Sequence, residues 1–211
     1  MLRIVKGKFI LPLVFAIVFA LSRIPGVLPP NFSALYAFAF CAGLYFPRYM
    51  AWWLPLGTML LTDISLNVFY YHEPVFSAYM LVKMLSFVGL VGLGRLFSAR
   101  MSWLKLVCGG LLGAVLFYLI TNTASWIYNP GYAKTLAGWI QALTTGIPNY
   151  PPTWEFFRNT LLSGGLFTGL FVGAAKLTEA RESPREKEAG ATAEEPDAEA
   201  DPEKAPEEAQ A

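Results

Sequence analysis

Several charged and amide side chains lie inside segments of this chain that are otherwise apolar enough for a membrane interior, namely Asp63, Lys83, Asn122, Arg158 and Asn159. Asp63 stands out in "GTMLLTDISLNVFYYHEP", residues 57–74. An ionised side chain at the bilayer centre costs about 2.5–3.5 kcal/mol on insertion scales. Such residues therefore pair with one another or line the path of a solute, and either role gives this carboxylate a chemical task.

These polar residues share one depth when they are counted from the predicted outer ends of their helices. Asp63 is about 10 Å below Tyr70 and Lys83 about 12 Å inside its own segment, at ~1.5 Å per residue. We therefore predict a polar cavity in the outer half of the membrane. Its predicted lining is Asp63, Asn67, Lys83, Asn122, Trp126, Arg158 and Asn159.

Two interpretations of Asp63 stay open. Asp63 and Lys83 are each ten residues from Glu73, at the centre of an antiparallel hairpin, so they should meet as an ion pair. The pair can be a purely structural lock, or it can also contact a ligand, with Asp63 as acceptor or as counter-charge. In the cavity interpretation Arg158 would hold an anionic or carbonyl group of the solute.

Six apolar segments must position these residues. The chain is 55% hydrophobic, and we predict an all-α polytopic membrane protein with spans at about 9–22, 33–47, 50–70, 75–97, 103–127 and 153–177. Between the last two spans, "YAKTLAGWIQALTTG" has apolar residues near helical spacing, which predicts a short interfacial helix.

The distribution of Lys and Arg predicts the orientation. With a cytoplasmic N-terminus, 12 of the 16 basic residues lie on the inner side, so both termini are expected in the cytoplasm of a multi-pass protein of the inner membrane. An alternative is a cleaved signal peptide, because Ala20 and Ser22 have the spacing of a cleavage site. Cleavage would leave five spans without changing their orientation.

Charge divides the chain into two parts. Residues 1–178, the predicted membrane domain, carry 12 basic and 3 acidic side chains, whereas residues 179–211 carry 4 basic and 12 acidic ones. The second part has no aromatic residue and is predicted to be a disordered, acidic, cytoplasmic tail. The overall charge of +1 gives no indication of nucleic-acid binding.

Catalytic and cofactor motifs are missing from the sequence. His72 is the only histidine, Asp63 is the only aspartate within a predicted span, and neither a phosphate-binding loop nor a G-x-S-x-G motif is present. We expect no enzyme activity, no metal and no cofactor.

Four motifs, in order along residues 9–177, resemble an uncharacterised family of bacterial transport proteins. They are the Arg, Pro and Asn-Phe of "SRIPGVLPPNFSALYAFAFCAGLYF", then Pro55 with Asp63, then "TNTASW", then "FFRNTLL". The chain departs from the family's pattern at Ser33-Ala34, in lacking a histidine at the proline turn, and in the glycines of "LLSGGL". The family is related to the substrate-binding S components of energy-coupling factor (ECF) transporters.

The resemblance implies a six-helix protein with both termini cytoplasmic that takes up a vitamin-like solute. It implies an external loop, here Arg23 to Asn31, that closes the cavity, and a face of the first helix, here Ala16 and Ala20, that docks on a transmembrane T component. Two ATPases would supply the energy. The alternative function is a scaffold without transport that recruits a partner through the acidic tail.

Overall fold

The computed structural model describes the backbone of residues 3–193 and the side chains of residues 9–180. Within those residues the protein is all-helical, with 74% of the chain in helices and no strand, as predicted. The helices are α1 (Arg3–Ser22), α2 (Leu35–Tyr45), α3 (Met50–Leu66), α4 (Ala78–Arg95), α5 (Trp103–Tyr128), α6 (Leu136–Leu143) and α7 (Thr153–Ala193). A π-helical turn, Asn67–Tyr71, follows α3 directly.

Each of the six predicted apolar segments coincides with a helix, and α6 is the short helix predicted between the last two. α3 ends at Leu66, before the predicted end at residue 70. The π-turn occupies the remaining predicted residues, and His72 then stops the helical path with a left-handed conformation (φ 55°). α7 continues beyond the predicted end at residue 177 to Ala193, through a stretch rich in Ala, Glu, Lys and Arg, which are strong helix formers. The predicted tail after residue 193 lies outside the described residues.

The chain divides into two compact units, Met1–Ala175 and Lys176–Ala211. The packing and the cavity described below belong to the first of them.

In the part of the chain that the structure describes, three helical stretches are long and apolar enough to cross a membrane: Ala78–Arg95, Trp103–Tyr128 and Thr153–Ala180. Phe9–Ser22 and Leu35–Tyr45 are apolar but shorter. α7 also exposes Leu162, Leu166 and Leu170, which recur every four residues and so form one outward ridge. A soluble protein rarely leaves such a continuous apolar surface uncovered, so these helices indicate an association with the membrane.

α2 is the central helix of the first unit. Its residues 35–43 are all buried, and it packs against α1, α3, α4 and α5. The backbones of α2 and α4 approach closely, because a Cβ on Gly43 would overlap the carbonyl oxygen of Val91 and a Cβ on Gly94 would overlap that of Phe40. The paired glycines thus fix α4, which carries Lys83, against the centre of the fold.

α7 joins this core through aromatic and polar contacts. The rings of Phe15 in α1 and Phe171 in α7 stack with centroids 3.9 Å apart. The hydroxyl groups of Tyr36 in α2 and Thr160 in α7 lie 3.1 Å apart in a buried hydrogen bond. These contacts place the first turns of α7 beside the loop that leaves α1.

Candidate functional site

A cluster of three charges lies where α1 ends, beside α3 and α4, with a buried carboxylate between two half-buried cations. Arg23 Nη2 is 2.5 Å from Asp63 Oδ1, and Lys83 Nζ is 2.7 Å from Asp63 Oδ2. Asp63 is only 2% exposed, and Oδ2 has no hydrogen-bond partner apart from this contact with Lys83. One carboxylate therefore faces two cations, and the cluster carries a net charge of +1.

Aromatic rings hold the two cations in place. The Arg23 guanidinium lies 5.7 Å from the centre of the Phe19 ring, and the Lys83 ammonium lies 5.9 Å from that of Tyr79. Such cation–π contacts orient a charged group without neutralising it. Arg23 also retains a buried nitrogen, Nη1, that has no hydrogen-bond partner. An unsatisfied buried donor is costly, so an acceptor would stabilise this nitrogen, which has almost no exposed surface of its own.

A cavity of about 1060 Å³ adjoins the cluster. Its wall is formed by the loop between α1 and α2, the π-turn, α4, α5 and the segment that precedes α7. Known ligand pockets span roughly 300–1,000 Å³, so the cavity can admit a small solute. Among the described residues that line it, Arg23 and Lys83 are the charged ones.

Tyrosines form much of the remaining wall. Seven of the ten tyrosines of the chain line the cavity, among them Tyr36, Tyr79, Tyr118 and Tyr132. The Tyr118 hydroxyl donates to the Leu143 carbonyl oxygen at 2.7 Å and thereby ties the wall to α6. Sequence reasoning missed these residues, which come from α2, the π-turn, α4, α5 and the loops on either side of α6. A tyrosine combines an apolar ring with a polar tip, so this wall suits an amphipathic solute.

The loop between α1 and α2 closes one side of the cavity. Its two ends are joined, because the Ala34 amide donates to Ser22 Oγ at 2.9 Å. Its middle is fixed to α7, because Asn159 Nδ2 donates to the Pro30 carbonyl oxygen at 2.9 Å. Asn31 has a φ of 59°, a left-handed conformation in which asparagine is enriched among non-glycine residues. The loop is therefore an ordered cover.

A second segment, between α6 and α7, covers the opposite side. The Trp154 amide donates to the Thr144 carbonyl oxygen at 2.8 Å, and Gln141 Nε2 donates to the Gly146 carbonyl oxygen at 2.9 Å. Gly146 has a φ of 74°, a conformation that glycine adopts without strain. Its neighbour Ile147 lines the cavity.

The structure brings four of the predicted site residues to the cavity wall: Lys83 and Asn122 from the predicted lining, and Arg23 and Asn31 from the predicted loop. The side chain of Asn122 donates to a backbone carbonyl oxygen one turn earlier in α5, at 2.9 Å. Asp63 is not on the wall but behind it, where it contacts both cations. It is thus placed as a counter-charge, and a direct acceptor role towards a solute does not fit its position.

The other predicted lining residues lie elsewhere. Asn67 and Trp126 donate to backbone carbonyl oxygens in the loops that follow their helices, at 3.3 and 2.8 Å. Asn159 supports the covering loop from behind. Arg158 is exposed, with its guanidinium 5.4 Å from the centre of the Trp154 ring. It is not among the residues that line the cavity, and its predicted role of holding the solute stays a prediction.

The small-residue face of α1 points inward. Ala16 is buried in the core at 6% exposure, and Ala20 is half-buried. The outward face of α1 carries larger residues, including Leu13 and Ile17. Ala16 is thus covered within the chain, and the predicted docking of a partner through Ala16 and Ala20 stays a prediction.

The comparisons give a family without an assigned activity. No curated protein and no solved structure matches this chain. The family model DUF6580, described as a family of unknown function, matches residues 4–186, which is most of the sequence. The chain belongs to the DUF6580 family.

Proposed function

We propose that this protein is a solute-binding component of a membrane uptake system and that a small solute binds in the cavity beside Arg23, Asp63 and Lys83. The observation that carries the proposal is the combination of a half-open cavity of about 1060 Å³ with two cations on its wall. Ionisable residues within membrane segments characteristically mark solute paths. A structural lock between α3 and α4 needs only Asp63 and Lys83, whereas Arg23 adds a second cation.

In this proposal all six apolar segments cross the inner membrane and both termini are cytoplasmic. The distribution of Lys and Arg supports this orientation, since 12 of 16 then lie on the inner side. Shorter helices such as α2 fit because their neighbours cover them within the fold. The cavity then opens towards the outer face, beneath the loop between α1 and α2.

The proposed organisation is that of an ECF S component, which was the resemblance noted in the four sequence motifs. Transport would then require a T component and two ATPases as partners. Such a T component would contact α1 through its outward residues, because Ala16 is buried. α6 would lie in the membrane interface and hold the second covering segment.

The proposal is tested by mass spectrometry of small molecules released on denaturation from protein purified gently from membranes. A Ser125→Trp variant would fill part of the cavity, because Ser125 lies on its wall. Ser98→Trp is the matched control, since Ser98 is exposed in the loop between α4 and α5. We expect a stoichiometric compound from the wild type and the control, and its loss from Ser125→Trp. Equal recovery from all three, or none from the wild type, would contradict the proposal.

A further inference from the structure

We infer that the solute is an organic anion whose single carboxylate contacts Arg23 and Lys83. This inference rests on the proposed function and names the chemical class of its solute. It follows from the charge balance of the cavity wall, the hydrogen-bond donors that remain open there, and the chemistry of the surrounding rings.

The charge balance favours one negative charge. Arg23 and Lys83 both contact Asp63, and that carboxylate can neutralise only one of them. Within the described part of the chain, the cavity wall carries no other charged side chain. Both cations are shielded from bulk water, with side-chain exposures of 15% and 24%. A bound monoanion would bring the region to neutrality.

Open donors provide the contacts for a carboxylate. A guanidinium has five N–H donors and an ammonium has three. Arg23 Nη2 donates to Asp63, and Lys83 Nζ contacts the same carboxylate. Nη1 of Arg23 has no hydrogen-bond partner. Both cations contact the same carboxylate and both line the cavity, so an acidic group bound beside them is attracted by both charges.

The tyrosine rings favour an apolar or aromatic body for this anion. The ring of Tyr79, which is 41% exposed, offers an apolar surface next to its hydroxyl group. Tyrosine faces also attract organic cations, which would be the opposite class of solute. The uncompensated positive charge decides between the two, because it repels an organic cation and attracts an anion.

The test uses three probes of almost equal shape: indole-3-acetate, indole-3-acetamide and tryptamine, which are anionic, neutral and cationic at pH 7. Their binding to the purified full-length protein is measured by calorimetry. We expect the anion to bind at least about tenfold more tightly than the amide, and tryptamine more weakly still. Lys83→Gln should reduce the preference for the anion about tenfold, whereas Lys105→Gln, at an exposed position early in α5, should keep it.

Arg23→Gln provides a second variant if Lys83→Gln does not fold, and it should reduce the same preference. Equal or tighter binding of the amide or of tryptamine to the wild type would overturn the inference and leave the proposed function intact. If no probe binds, the solute released from the native protein decides: an anion supports the inference, and a neutral or cationic compound overturns it. If no probe binds and no solute is released from the native protein, both proposals are overturned.

Discussion

Asp63→Asn is the substitution with the largest expected effect on stability. It keeps the shape of the side chain but removes the one negative charge between Arg23 and Lys83. Removing one partner of a buried ion pair costs about 3–5 kcal/mol, because the other charge is left uncompensated. Here two cations that contact the same carboxylate are left, and they also repel each other.

The resulting loss of about 3–5 kcal/mol should lower the melting temperature by about 6–20 °C, at about 2–4 °C per kcal/mol for a chain of this size. Tryptophan fluorescence during heating of the protein in detergent would measure it. Adding Lys83→Met to Asp63→Asn should restore part of the loss, because it removes one of the two unpaired cations.

Glu155→Gln is the control, since Glu155 lies in the first turn of α7, where loss of the charge should cost no more than about 1 kcal/mol. A melting temperature for Asp63→Asn within 2 °C of the wild type, on the scale of about 2–4 °C per kcal/mol, would refute the reasoning. A double variant Asp63→Asn, Lys83→Met that is less stable than Asp63→Asn alone would also refute it.

Three further predictions concern the packing, the covering loop and the tail. Gly43→Ala should destabilise the fold by about 1–3 kcal/mol, because the new methyl group meets a backbone carbonyl oxygen of α4. Gly92→Ala is the control and should not destabilise it, because its methyl group meets nothing within 4 Å. Chemical denaturation would measure both. Asn159→Ala removes the hydrogen bond to Pro30, so amide exchange in the loop should accelerate about fivefold, for a loss of ~1 kcal/mol; unchanged exchange would contradict this. Deleting residues 179–211 should leave solute recovery unchanged, whereas a scaffold that recruits its partner through this tail would lose its function.

Much of the fold can be predicted from the sequence, because an apolar segment between Pro- and Gly-rich turns satisfies its backbone hydrogen bonds by forming a helix. The meeting of Asp63 and Lys83 follows from their equal distance to Glu73, since the two arms of an antiparallel hairpin keep the same level. Helix ends were less predictable. The π-turn after Leu66 depends on one left-handed residue, His72, which no apolar pattern indicates.

The site was only partly predictable. The depth of a residue in the membrane follows from its position along a helix, whereas the direction of its side chain depends on how the helices pack. Arg158 and Asn159 are neighbours at the predicted depth, yet one is exposed and the other is buried against the covering loop. Arg23 was predicted as a loop residue, and its bond to Asp63 arises from the fold of the loop over α3. Tyrosines such as Tyr79 and Tyr118 were overlooked, because in apolar segments they are equally typical of packing and of interfaces.

The most direct test of the central claim is a crystal structure of the protein grown from a lipid mesophase without prior removal of bound small molecules. We predict electron density for a solute in the cavity, with an acidic group in contact with Lys83 Nζ and Arg23. A cavity closed by inward movement of the loop between α1 and α2, with both cations bonded to Asp63 alone and no solute present, would contradict the account.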